Sequence, residues 1–337
     1  MDAKITKKRF NHMLSYDWLK IIGAAAAGIL VWALIFTMTA TRIRPSQKFT
    51  IFNHNSNVSF QTTDYYSIRK QILGTDIFSY EVIETGECDL AATPDYASTL
   101  LETRLATDEG SVMFIANTED KSTEYKDENG ETKYKTYLES FTGGSFSSYL
   151  ANLDVNNEKS FFKTMESYLS KFYTDWTDEN TLNEDSVETE FRARAKKNKD
   201  KRYKTEAQKQ AGIKNDIVRI QKYRDALENV YEYLEKGYIS ITMVEVERED
   251  YYTHEKYVLK GHFFNLCPNE ETMGGLKSLI HYPVEYTDEN GKTQTKFIAK
   301  DMHLAFFNLK GVESGFEFEN MLFLDNLVQK YCTELKK

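Results

Sequence analysis

The sequence predicts an α/β fold: a two-lobed domain with a helical insertion, preceded by one transmembrane helix. Three observations predict it. Residues 21–41 carry no charge. Residues 48–117 alternate strand, helix, strand, helix, strand, and strand patterns return after residue 238. Between them lies a long stretch of helical periodicity.

The 21 residues from Ile21 to Thr41 would extend about 31 Å as a helix, the thickness of a hydrocarbon core. A soluble helix of this length would show a polar face, whereas this one has only scattered Thr and Gly. It exceeds the usual apolar region of a signal peptide, and a cut after Ala40 would put bulky Met38 at the third position before it. We therefore expect a retained anchor, with the lipid bilayer as partner. Lys4, Lys7, Lys8, Arg9 and Lys20 precede the span, and Arg42, Arg44 and Lys48 follow it. That bias places residues 1–20 in the cytoplasm as a basic tail and residues 45–337 outside.

The chain holds 43 basic and 52 acidic residues. Residues 1–44 contain seven basic and two acidic ones, which leaves 36 against 50, a net charge of −14. Such an ectodomain is not expected to bind nucleic acid. The three cysteines, Cys88, Cys267 and Cys332, allow one disulfide at most, and three separate thiols are the simpler reading. Few cysteines on an exported domain suggest a bacterial surface.

The elements follow in order. "KFTIFNHN" (48–55) alternates as a strand, "SIRKQIL" (67–73) is a short helix, and "FSYEVIET" (78–85) is a second strand. Thr93 and Pro94 are the expected N-cap and first residue of a helix closed by Gly110. "SVMFIAN" then reads as a strand buried on both faces. Asn129-Gly130 and Asn290-Gly291, each in a "DENG" tip, predict type I′ hairpins. The middle is helical: in "GIKNDIVRIQKYRDALENVYEYLEKG", Ile213, Ile217, Ile220, Leu227, Tyr231 and Leu234 share a face, and Gly237 ends it. "YISITMVEVER", "KYVLKGHFFNL" and "MHLAFFNL" return to strands, and "FEFENMLFLDNLVQKYCTEL" closes as an amphipathic helix. Residues 45–120 with 260–337 are expected as one lobe and 138–255 as the other.

This layout resembles that of solute-binding proteins, in which one lobe is discontinuous. "YASTLLETRLATDEGSVMFIANTED" (96–120) resembles the family's helix-then-strand segment, although Ser111-Val112 stands where the family carries an acidic residue. "ENMLFLDNLVQKY" (319–331) resembles a late helix of the family. The basic tail, the single anchor and "RYKTEAQKQAGIKNDIVRIQKYRDAL" are similar to membrane-tethered accessory proteins of Gram-positive bacteria found beside sugar-type ABC transporters. The resemblance implies a solute-binding-like fold, a role without catalysis, an ABC permease as partner and a small solute such as a sugar.

No Gly-x-Ser-x-Gly, Walker loop, dinucleotide fingerprint, His-Glu-x-x-His or Cys-x-x-Cys occurs. None of the six histidines is paired at metal-ligand spacing, so neither metal nor cofactor is expected. "FTGGSFSSY" (141–149) lacks the lysine of a phosphate cradle and reads as a flexible loop. Ligands of open α/β sheets sit at the carboxyl ends of strands. That rule selects Asn53 and His54 after the first strand, Thr85 and Glu87 after the second, Asn117 and Glu119 after the third, and Asn308 after the late one. Tyr65, Tyr66 and Trp176 are candidate aromatic platforms for a sugar. The rival expectation is an envelope structural or assembly protein that works through protein–protein contacts.

Overall fold

The computed structural model describes residues 7–39, 43–54, 56, 58–60 and 77–336. They form two compact units, residues 1–43 and 44–337. The first is one helix, α1 (Lys7–Thr39), of 33 residues. Its stretch Trp18–Thr37 is long and apolar enough to cross a membrane, and none of it is buried against protein. The last two residues of the expected span, and the expected helix at 67–73, lie outside the described residues.

The second unit is a mixed α/β domain. In chain order it contains β1 (Lys48–Asn53), β2 (Ser59–Phe60), β3 (Glu84–Asp89), α2 (Ala97–Ala106), β4 (Val112–Ala116), β5 (Glu119–Lys126) and β6 (Thr132–Thr136). Then come α3 (Tyr137–Thr142), α4 (Phe161–Leu169), α5 (Glu184–Lys197), α6 (Glu206–Glu235), β7 (Ser240–Glu249) and β8 (Lys256–Asn265). It closes with α7 (Glu270–Met273), β9 (Ile280–Thr287), β10 (Thr293–Ile298), β11 (Met302–Phe306) and α8 (Glu319–Tyr331). The main sheet runs β3-β1-β4-β11-β8-β7. β3, β1 and β4 are parallel, whereas β11, β8 and β7 join antiparallel.

Alternation along β1 and β4 divides the core. Phe49, Ile51, Val112 and Phe114 face a large cluster built with α4, α6 and α8. Phe52, Met113 and Ile115 face a smaller one with Leu101 and Leu105 of α2 and Phe141 of α3. Both faces are covered, which is why β4 reads as an unbroken apolar run.

The helix ends follow local chemistry. Thr205 accepts from the Gln208 amide and the Gln208 side chain accepts back from Thr205, a capping box that starts α6. Gly237 at φ 70° ends it, with its N–H donated to Leu234 O and that of Tyr238 to Tyr233 O. Thr93 makes no side-chain cap; a single 3-10 turn, Pro94–Tyr96, leads into α2 instead. The three cysteines are unpaired.

β7 pairs along its whole length with β8, and α6 packs on α8 in the main core. Residues 44–337 are accordingly one compact unit. The second strand is displaced from 78–85 to Glu84–Asp89, because Tyr80 and Glu81 are drawn to Asp216 and Arg202 and leave the ladder. The "DENG" tips are not type I′. Gly130 and Gly291 have φ of 79° and 73°, but Asn129 and Asn290 do not reach positive φ. In the first tip, Gly130 N–H donates to Asp127 O and Asp127 N–H to Glu131 O. This is a type I turn followed by a left-handed glycine, and Asp127 Oδ1 caps the amides of Asn129 and Glu131. The second tip repeats every one of these bonds from Asp288.

Candidate functional site

Strands β1 and β4 run parallel, so their carboxyl ends meet on one edge of the sheet. A cavity of about 570 Å³ opens there. One wall comes from the start of α2, with Pro94, Ser98 and Glu102, which β3 delivers beside β1. Another comes from Asp120, Lys121 and Ser122, at the start of β5, just after β4. The third is Tyr137, Ser140 and Phe141 of α3, with Gly144, Ser145 and Phe146 after it.

Local rules build that third wall. Thr136 accepts from the Glu139 amide at 3.2 Å, and Glu139 Oε2 accepts from the Thr136 amide at 2.6 Å, which starts α3 where the hairpin ends. The expected flexible loop is a 3-10 turn, Ser145–Tyr149, behind a fixed glycine. Gly143 O accepts from Arg248 Nε at 3.0 Å, and a Cβ on Gly143 would meet Arg248, Glu139 and Val246 at 3.1–3.2 Å. A side chain there would require those neighbours to give by a few tenths of an ångström.

His54 forms the floor. Its amide donates to Phe114 O at 2.8 Å and extends the ladder one residue beyond β1. The imidazole stands edge-on to Tyr137 and Phe141, with centroids 5.5 and 5.6 Å away. Nδ1 has no hydrogen-bond partner among the described residues. Burial lowers the imidazole pKa to about 4 against the opposing field of Asp120, so His54 is neutral at physiological pH. Asp120 is 9% exposed. Its Oδ1 accepts from the Ser122 amide at 3.1 Å and the Ser122 hydroxyl at 2.6 Å. Burial raises the Asp120 pKa, but these bonds outweigh it and hold the carboxyl below its usual value. Lys121 is directed elsewhere: it pairs with Glu119 and lies over the Tyr134 ring at 4.2 Å.

Of the residues selected from sequence, His54 lines the cavity and Glu119 sits beside it as the partner of Lys121. Asn53 belongs to the scaffold, fully buried, with Nδ2 donated to Asp89 Oδ1 at 3.0 Å. Asn117 is exposed and does not line the cavity. Thr85 and Glu87 fall inside β3, whose carboxyl end is Asp89, and do not line the cavity. Burial and the neighbouring Asp89 push the Glu87 pKa up to about 7. Asn308 lies at the opposite edge, because β11 runs antiparallel to β4 and pairs Phe306 with Val112. Trp176 packs on Tyr231 at 6.2 Å against the main core. Tyr65 and Tyr66 lie outside the described residues. Sequence reasoning missed Asp120, Tyr137 and Phe146; the Thr136-x-x-Glu139 capping box was the one local signal that could have placed Tyr137 at a helix start. Among the described residues no three His, Cys, Asp or Glu side chains gather as a metal site.

No protein-family model, curated protein or solved structure matches this chain.

Proposed function

We propose that this protein is a membrane-anchored, extracytoplasmic, solute-binding-like accessory or sensor protein that serves an ABC-type permease without catalysis. One observation carries the reading: a cavity of about 570 Å³ lies at the carboxyl ends of parallel strands, where ligands of open α/β sheets bind. Its volume suits a small solute, and it combines rings, hydroxyls and two carboxylates. Binding is favoured over catalysis because His54 Nδ1 bonds neither a serine nor a carboxylate among the described residues. The α1 helix supports the anchored placement, and a tether would concentrate the domain beside a permease.

The test is a solute-library thermal-shift screen on the full chain in nanodiscs, since binding to the native state raises its midpoint. At least one small polar solute should raise it. A library that leaves it unmoved contradicts the reading.

A second reading, an envelope assembly protein, has its own observation. Strand β7 forms a free sheet edge among the described residues, and the β7–β8 hairpin exposes Met243, Tyr257 and Val258 with Tyr251 and Tyr252 at its tip.

A further inference from the structure

The chemistry of the cavity restricts what it holds. Asp120 is a nearly buried carboxylate, yet no lysine or arginine among the described residues pairs with it. The ammonium of the adjacent Lys121 is taken by Glu119 and the Tyr134 ring. His54 is neutral and supplies no positive charge. Glu102 adds a second carboxylate on the facing wall. A buried charge without a counter-charge is costly, and a ligand that displaces its remaining water raises that cost unless it brings the opposite charge. An anion meets two carboxylates and is repelled. A neutral polyol adds no counter-charge to the two Ser122 hydrogen bonds that Asp120 already accepts. The rings of Tyr137 and Phe146, both partly exposed at the wall, add faces that attract a cation.

We propose that the cavity is a site for a small organic cation, an ammonium solute, with Asp120 as its counter-ion and Tyr137 and Phe146 as its aromatic walls. This rests on the solute-binding reading and narrows it away from sugars. Glu102 is a rim charge that attracts the cation over distance, and its contribution falls as salt screens it. The Asp120 contribution, being nearly buried, falls less.

The test titrates the full chain in nanodiscs by calorimetry with four probes: choline, putrescine, glucose, and 3,3-dimethylbutan-1-ol, the uncharged carbon isostere of choline. Choline or putrescine should bind. The isostere should bind at least tenfold more weakly than choline if choline is the probe bound, and Asp120→Asn should weaken the bound ammonium probe at least tenfold. Glu102→Gln should weaken it a few-fold, chiefly at low salt. Because the glucose and isostere comparisons use the unaltered chain, they stand even if Asp120→Asn fails to fold. Glucose binding without either ammonium probe overturns the cation assignment and leaves the solute-binding reading standing. Equal binding of choline and its isostere overturns it too. If neither ammonium probe binds, the assignment fails, and if the solute library also leaves the midpoint unmoved, both fail.

Discussion

Arg219 Nε donates to Asp216 Oδ1 at 2.7 Å, one turn away on α6, and both residues are 1% exposed. The same carboxylate accepts from Arg194 Nη1 and Nη2 at 3.1 and 3.0 Å and from the Tyr80 hydroxyl at 3.1 Å. Arg219 continues to the Tyr168 hydroxyl at 2.9 Å. One buried carboxylate thus ties α4, α5, α6 and the segment before β3 together. Burial raises its pKa, but the two guanidinium groups outweigh that and hold it below its usual value.

Removing Asp216 takes from buried Arg219 the carboxylate it pairs with and leaves Arg194 the longer contacts to Glu81 and Glu190, each at 3.8 Å. Asp216→Ala should therefore cost about 3–5 kcal/mol, well beyond an ordinary surface substitution. Urea unfolding of the full chain in detergent measures it. A loss below about 1 kcal/mol would show that the arginines find other partners.

His303 provides a pH-dependent term. Its Nδ1 lies 2.7 Å from Asp301 O, an acceptor only, so Nδ1 carries the proton and Nε2 accepts from Thr242 Oγ1 at 2.9 Å. Burial lowers the pKa from 6.5 to about 4. Between those values the unfolded chain binds the proton and the folded chain does not. The contribution is complete above pH 6.5 and is lost as pH falls towards 4, by about 3 kcal/mol at most. His303→Gln should therefore be less sensitive to acid than the parent in urea midpoints taken from pH 7 to 4.5. Parallel curves would contradict the assignment.

The hairpin tips isolate a backbone effect. An added Cβ at Gly130 or Gly291 meets nothing within 4 Å, so alanine there is opposed only by the positive φ, by roughly 1–2 kcal/mol. Amide exchange should accelerate in the substituted hairpin alone, with the thermal midpoint and solute binding unchanged. A fall in the global midpoint of several degrees would make the tips part of the cooperative core.

The exposed apolar stretch Trp18–Thr37 predicts that the chain resists carbonate extraction, with its C-terminus open to protease added outside the cell. Recovery of a soluble form beginning near Arg42 would refute the anchor.

What could be read in advance depended on how local its cause was. β1, β4 and α6 were legible because the apolar pattern of each strand, and the apolar face and terminal Gly237 of the helix, are local to each segment. The "DENG" turn was misread because Asn-Gly suits two turn types, and Asp127 selects between them by capping two amides. The strand at 78–85 failed for a distant cause: Arg194 and Arg202 hold Tyr80 and Glu81, more than a hundred residues earlier in the chain. Strand direction has no local signature either, and that misplaced Asn308. His54 was found by topology, whereas Asp120 and Phe146 reach it only when the β5–β6 hairpin folds back.

Blocking the cavity tests the central claim most directly. Ser98 is an exposed wall residue on α2, so Ser98→Trp should fill the space without disturbing the core. Solutes that raise the melting midpoint of the parent chain should then produce no shift in Ser98→Trp, while its unliganded midpoint matches the parent within about 2 °C. A shift that persists undiminished in the blocked protein would place the binding site elsewhere.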